Sequence, residues 1–465
     1  MSDDTSWNAL HTIVHKTMRK LEKKAIVHAE AFYTSTQTTE VTIRDSTIHT
    51  QNKMEDSGVG FRVLLSDNKV GFACTNRLKE AAVWEAAEKA FAIAQVSSEL
   101  PHFQFPQVTQ LPKVKELFDS RLAELDIVEA VNIAQRAINS AEAFDPRVIA
   151  KHGKLVIETG WRGISTTIGV DAEEKASKAF MYLGGSGEQN KEVTCTCYDG
   201  DYLRAADLDP ETLGESVGQK VVAQFNPQPL KSMQGTVIFG PQAVGNQLFS
   251  VLVDALKGEN VISGRSAWSA NLNQSVASEK LTIIDDALLE GGYASRSFDD
   301  EGSASQTTVL MQNGVLEGFL HDVTSAHTLS VKPTGNASRY PVGFDFVRVI
   351  VGSGYRTKPE IFPSNLVIQP GTKTKDALIS EIHKGVLVDT MGGFPQAGSG
   401  VISAQLIQAF YIQDGEIKYP IKEGMVSGVA FDWFKQISDV GKDTKQGSND
   451  VMPSLQVEDV KVVAA

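Results

Sequence analysis

The 465-residue chain has only three cysteines, Cys74, Cys195 and Cys197. So few thiols make no disulfide framework of the kind that holds small secreted domains together. No run of about 18 apolar residues occurs, so no membrane-crossing helix is expected. The opening MSDDTSW is acidic and has no apolar stretch like that of a secretory leader. A cytoplasmic protein is the expectation. Basic runs are also scarce. Lys and Arg number 44 against 57 Asp and Glu, a net charge of −13. The densest basic segment, HKTMRKLEKK, reads as the solvated face of one helix. A nucleic-acid partner would need a basic patch or stripe, and none is expected here; neither is a membrane partner. The chain also lacks H-E-x-x-H, C-x-x-C and G-x-S-x-G, which excludes the common local signatures of zinc, redox and serine-hydrolase chemistry.

What is present is enough for a sizeable core. Hydrophobic residues make up 42% and charged residues 22%, ordinary values for a globular chain. The length suggests two or three domains. Helical spacing of apolar residues predicts a helix over 5–24, with Thr5 or Ser6 as cap. Further helices are expected over 78–97, 126–143 and 209–224, the last with Asp209 as cap and Pro210 at the first helical position. Strand-like alternation fills residues between the first two helices and again between the third and fourth. The second half opens with the strand GTVIFG and a helix, LFSVLVDALKGE. Short strands dominate after that, FVRVIVG among them. MQNGVLEG and IQDGEIK place Asn-Gly and Asp-Gly between apolar runs, the strongest short hairpin signal. The expected fold is α+β. An N-terminal α+β domain spans 1–225, and a β-rich domain with a curved or barrel-like sheet spans 233–465.

Several groupings could carry chemistry. SFDDEGSAS gathers Asp299, Asp300 and Glu301, which could bind a cation or act as acid and base, or simply cap a turn. Cys195 and Cys197 would share one strand face, half a metal site at most. HDVTSAH offers His321, Asp322, Ser325 and His327, but triads are built by tertiary geometry rather than by one short segment. PTGNASRY, with Thr334, Gly335, Asn336 and Arg339, is a polar loop suited to line a cleft. DTMGGFPQAGSG, with Gly392 and Gly393, is another; His383 and Asp389 lie nearby. Residue chemistry alone stops at a two-domain protein without a recognisable active site.

The order FDDEGSASQTTVLMQNGVLEG, then SAH, PTGN and an Arg, resembles the TldD/PmbA family. SGRSAW, DGEIKYPIKEGMVSG and MPSLQVEDVKV extend the resemblance over the second half. The TldD group carries H-E-x-x-x-H on a helix and a Cys near the C-terminus, where two imidazoles and a third ligand hold zinc and the Glu activates water. The PmbA/TldE group lacks these residues. Aligning ALKGE with the run after that motif puts Phe249 and Asp254 at the His positions and Ser250 at the Glu position. Phe249 has no donor atom, and Ser250 is a poor base. The resemblance therefore implies a chain with no catalytic or metal-ligating residues and no cofactor of its own. It would be the non-catalytic subunit of a heterodimer, zinc lying in a TldD-like metalloprotease partner that acts on small or unfolded peptides. The peptide would add as a strand along a channel whose expected residues are Asp299, Asp300, Glu301, Thr334, Gly335, Asn336, Arg339, Gly392 and Gly393. The alternatives are a homodimeric peptide-binding protein and a hydrolase whose site has moved to His321, His327, Asp299 and Glu301.

Overall fold

A computed structural model describes residues 3–464 except 25, 27, 108 and 340–353. The expected strand FVRVIVG, residues 346–352, and Tyr340 of the PTGN loop lie outside the described residues. In the first half, α1 (Asp3–Leu21) is followed by β1 (His28–Arg44), β2 (Thr47–Leu64) and β3 (Val70–Thr75). Then come α2 (Glu80–Val96), α3 (Ser120–Glu124), α4 (Ile127–Phe144), β4 (Val148–Thr166), β5 (Asp171–Gln189), β6 (Glu192–Val193), β7 (Cys197–Leu203) and α5 (Pro210–Val222). The strands form one antiparallel sheet in the order β3-β2-β1-β4-β5, with β6 and β7 both pairing β5. Strands as long as these accumulate right-handed twist, and the sheet curls into a half-barrel.

Period-two alternation gives this sheet two faces. Odd-numbered residues such as Leu155, Ile157, Ala179 and Met181 pack beneath α4 and α5. Ala29, Ala31 and Tyr33 pack beneath α1 and α2. Even-numbered residues are left facing the concave side. The covering helices follow the expected local rules. α4 buries Ala130, Ile133, Ala134, Ala137, Ile138 and Ala141, a helical stripe. Asp126 caps it, accepting from Glu129 N at 2.8 Å. Asp209 caps α5 and Pro210 occupies its first position. The start of α1 differs from expectation: the helix is under way from Asp3, so Thr5 and Ser6 lie within it.

The second half opens with β8 (Met233–Phe239), α6 (Pro241–Leu256) and α7 (Gly258–Ile262), followed by β9 (Ile283–Asp286), β10 (Thr307–Gln312), β11 (Val315–Leu316) and α8 (Val323–Leu329). β12 (Ala337–Ser338), β13 (Glu360–Ile361), β14 (Leu366–Ile368), α9 (Lys375–Ser380), β15 (Lys384–Gly392), β16 (Val401–Gln413) and β17 (Glu416–Pro420) come next. β18 (Gly424–Val429), α10 (Ala430–Lys435), β19 (Ile437–Gln446) and β20 (Asp450–Ala464) complete the described chain. β8, β15, β16, β18 and β20 form a closed five-stranded barrel, because β20 pairs back onto β8, Val457 opposite Val237. Closure leaves none of the five with a free edge in the ring. The barrel core joins α6 through Leu248, Val251, Leu252, Ala255 and Leu256. The two hairpin turns form as read: Asn313 and Gly314 (φ 48° and 75°) join β10 to β11, and Asp414 and Gly415 (φ 51° and 78°) join β16 to β17. Among the described residues no helix is long and apolar enough to cross a membrane.

Candidate functional site

A cavity of about 980 Å³ separates the concave face of the curled sheet from the barrel half. That is near the upper end of the roughly 300–1,000 Å³ typical of ligand pockets. Period two supplies one wall: Thr34, Glu158, Arg162, Lys178, Tyr182 and Tyr202 point inward from β1, β4, β5 and β7. Helix α6 supplies the opposite wall. Its core stripe is turned to the barrel, so Gln242, Asn246, Phe249, Ser250, Val253, Asp254 and Lys257 face the cavity at helical spacing. Helix α6, which carries no His or Cys, thus lines this cavity.

Phe249 packs edge to face on Phe362, ring centroids 6.0 Å apart. The Ser250 hydroxyl is buried with no hydrogen-bond partner. Asp254 Oδ1 accepts from the Asn260 side chain at 3.0 Å. One carboxylate, already hydrogen-bonded, beside a phenyl ring and a hydroxyl is not a zinc ligand set. Among the described residues, no three His, Cys, Asp or Glu donors in this cavity come together at metal-binding distance.

The cavity wall also includes Asp300, Arg339, Gly392 and Gly393, but not Asp299, Glu301, Thr334, Gly335 or Asn336. The latter five are occupied elsewhere. Asp299 closes its own turn, accepting from Glu301 N, Ser303 N and Ala337 N at 2.9–3.0 Å; burial pushes its carboxyl up to about 6. Glu301 takes Arg62 Nη1 at 2.9 Å and Val323 N at 3.2 Å. Thr334 Oγ1 accepts from His321 N at 2.7 Å. Gly335, at φ 74°, has its carbonyl held by Arg296 at 3.2 Å. Asn336 donates to Asp285 at 2.7 Å.

Together the acidic run and the Arg form a buried bolt between the halves. Arg162 donates to Asp300 Oδ1 at 2.7 Å and to the Phe298 carbonyl at 2.6 Å. Glu174 takes Ser297 N at 2.7 Å. Glu30 accepts from both Arg62 and Arg339, and Arg339 N donates to Asp300 Oδ2 at 2.7 Å. Burial opposes the Glu174 charge, but Arg162 and Ser297 outweigh it and hold the carboxyl below its usual range. Burial wins at Glu301, pushed up to about 8 despite Arg62.

The other sequence candidates do not converge on a reaction centre. His321 Nδ1 lies 3.2 Å from Ser325 Oγ, but the Asp322 carboxylate caps α8 by accepting from Ser325 N at 2.7 Å. His327 pairs with Gln104 at 3.1 Å. Cys195 lies outside β7 with its thiol on the Ile407 carbonyl, and Cys197 is buried. His383 contacts Asp414, and Asp389 pairs with Lys375.

Sequence reasoning missed most of the polar wall. Glu158 is nearly buried and its Oε2 has no partner; burial pushes it up to about 7 against the pull of Lys178 and Arg204. Asp450 is likewise pushed up to about 7 by burial. Arg296 keeps a buried Nε without a partner. The even-number alternation of β4 and β5 was the available signal, but a strand pattern does not say which face meets a cavity.

The PmbA/TldA metallopeptidase C-terminal domain matches residues 232–464, and PmbA/TldA metallopeptidase domain 1 matches residues 29–94. The chain belongs to the PmbA/TldD family. Its fold is similar to that of TldE from Thermococcus kodakarensis, with a TM-score of 0.88 and 25% identity over 97% of this chain and 100% of that one. A PmbA homologue from Haemophilus influenzae, named a metalloprotease, is 25% identical over 462 residues, 95% of this chain and 94% of the relative. A TldD homologue from Buchnera aphidicola, also named a metalloprotease, is 25% identical over 423 residues, 87% and 83% of the two chains. PmbA/TldD membership accounts for the DDEG–NGVLEG–PTGN order. Of these segments DDEG enters the bolt between the halves, through Asp300 and Glu301; NGVLEG carries the β10–β11 turn, and PTGN bonds within the second half.

Proposed function

We propose that this chain is the non-catalytic, PmbA/TldE-like subunit of a heterodimeric zinc metalloprotease. One observation carries the reading: the cavity face of α6 presents Phe249, Ser250 and Asp254, a set that cannot hold zinc and activate water. The partner is then a TldD-like chain that brings the zinc, and the substrate is a small or unfolded peptide. The cavity suits such a guest. It has aromatic walls at Trp161, Tyr182 and Phe394 and polar groups left without partners at Glu158, Ser250 and Arg296. Those groups are available to a peptide backbone or terminus, because buried polar atoms are stabilised by any partner that enters. The three free thiols fit a reducing cytoplasm.

The test is co-expression with a TldD-like chain from the same cells, followed by native mass spectrometry and a peptide-cleavage assay. The expected result is a one-to-one complex that cleaves an unfolded peptide, with activity absent from either chain alone and lost with a chelator. A stable homodimer that binds peptide and ignores the TldD-like chain would replace this reading with that of a peptide-binding protein. Cleavage by the single chain, lost in His327→Ala, would point to a relocated hydrolytic site.

A further inference from the structure

Away from the cavity, α1 brings two imidazoles to one helix face. His11 and His15 are four residues apart, the spacing at which helical side chains are neighbours, and their ring centroids are 4.1 Å apart. Asp171, the first residue of β5, meets them there. One donor atom from each of the three residues lies within 4.8 Å of the other two. His15 Nε2 and Asp171 Oδ1 are 3.3 Å apart. Ligands on a tetrahedral zinc ion, with bonds of about 2.0–2.1 Å, are separated by an edge of about that same length.

A plain hydrogen bond does not explain the contact. His15 Nε2 is buried and makes no hydrogen bond, so the Asp171 oxygen lies close without lying along the donor direction. The neighbouring Tyr33 hydroxyl is also buried without a partner, its ring 6.2 Å from that of His11. Around the cluster the frame is well held: Trp7 Nε1 donates to Glu173 Oε2 at 2.8 Å, and Trp7 stacks between Tyr33 and Trp161 at 4.9 and 5.5 Å. Asp171 is half exposed, which leaves an approach for an ion and for water as a further ligand. Arg19 is the nearby positive charge and Glu173 the second negative one.

We propose that His11, His15 and Asp171 form a divalent-cation site of the zinc class that clamps α1 onto the start of β5. Two neutral imidazoles and one carboxylate are a donor set that suits Zn²⁺ and its spectroscopic substitute Co²⁺. The site lies apart from the α6 face and departs from the expectation that this chain holds no metal. Its role is to fasten α1, since an ion held by both elements stabilises the docked form over the undocked one.

The experiment uses the untagged full chain, stripped of metal and titrated with Zn²⁺ and with Co²⁺. One ion per chain is expected, with Co²⁺ giving the visible absorption of a low-coordinate site and Zn²⁺ raising the melting temperature. His11→Gln and His15→Gln should each weaken Zn²⁺ binding at least tenfold and abolish the Co²⁺ band. Asp171→Asn should weaken binding to a lesser degree. Far-UV circular dichroism of the metal-free variants checks that α1 and the sheet remain folded. Absence of a Co²⁺ band from the wild type, or binding unchanged in both His variants, would overturn the assignment.

Discussion

Glu158→Gln should change how stability depends on pH, and the size of the change follows from the cavity wall. The Glu158 carboxyl titrates near 4.5 when free and near 7 in the fold, because burial disfavours its charge more than Lys178 and Arg204 favour it. Between those values the folded chain keeps a proton that the unfolded chain has released. Stability from this group is therefore full below about pH 4.5, falls as pH rises, and is lost once pH passes 7. Each pH unit between the free and folded values is worth about 1.36 kcal/mol, so the loss comes to roughly 3 kcal/mol. Gln has nearly the same shape and does not titrate. The variant and the wild type should thus be about equally stable near pH 4.5, and the variant more stable by up to roughly 3 kcal/mol at pH 8.5. Urea denaturation at pH 4.5, 5.5, 7 and 8.5 measures this directly, and the contributions of Asp450 and Glu301 cancel in the difference. A difference that stays constant with pH, or that grows on acidification, would refute the argument.

Arg62→Met removes the Arg partner of Glu301 and one of the two Arg partners of Glu30, both buried carboxylates. It should cost about 3–5 kcal/mol in chemical denaturation, whereas Arg121→Met at the exposed Asp119 pair should cost under about 1 kcal/mol. Asp209→Ala deletes the cap of α5 and should cost about 1 kcal/mol, read from the shift in urea midpoint. Gly314→Ala places a Cβ 2.4 Å from the Ala277 carbonyl in a left-handed conformation. It should lower the melting temperature by several degrees, more than an exposed loop Gly264→Ala, where nothing lies within 4 Å.

Local rules made much of this fold legible. Asp126 and Asp209 mark their helices because a side-chain carboxylate satisfies amides that helix geometry leaves unpaired. Asn313-Gly314 and Asp414-Gly415 mark their hairpins because few residues accept two positive φ angles in succession. Distant pairings could not be read in this way. Barrel closure joins β20 to β8, from opposite ends of the same half. The DDEG run looked like turn chemistry or acid–base chemistry. Its partners Arg62 and Arg162 both come from the other half of the chain, and no spacing rule links them. For the same reason only part of the expected channel lies on the cavity: Asp300 and Arg339 reach it, while Asp299 closes its own turn and Glu301 is turned into the bolt. The i, i+4 pair His11 and His15 was visible in the sequence, but its carboxylate, Asp171, belongs to a strand far along the chain.

The barrel closure also sets an order of events during synthesis. The curled sheet needs only β1 to β7 and can assemble as soon as they leave the ribosome. The barrel has no closed form until β20 has been made, since β20 alone joins β18 to β8. Through that interval the concave face of the sheet has no opposite wall, and Glu30, Arg62 and Arg162 wait for carboxylates and an Arg not yet in place. Domains emerging in sequence generally fold as units, so the finished first half should spend the delay as a nascent-chain intermediate with its cavity wall open. A ribosome stalled within β19 would hold the protein at that stage.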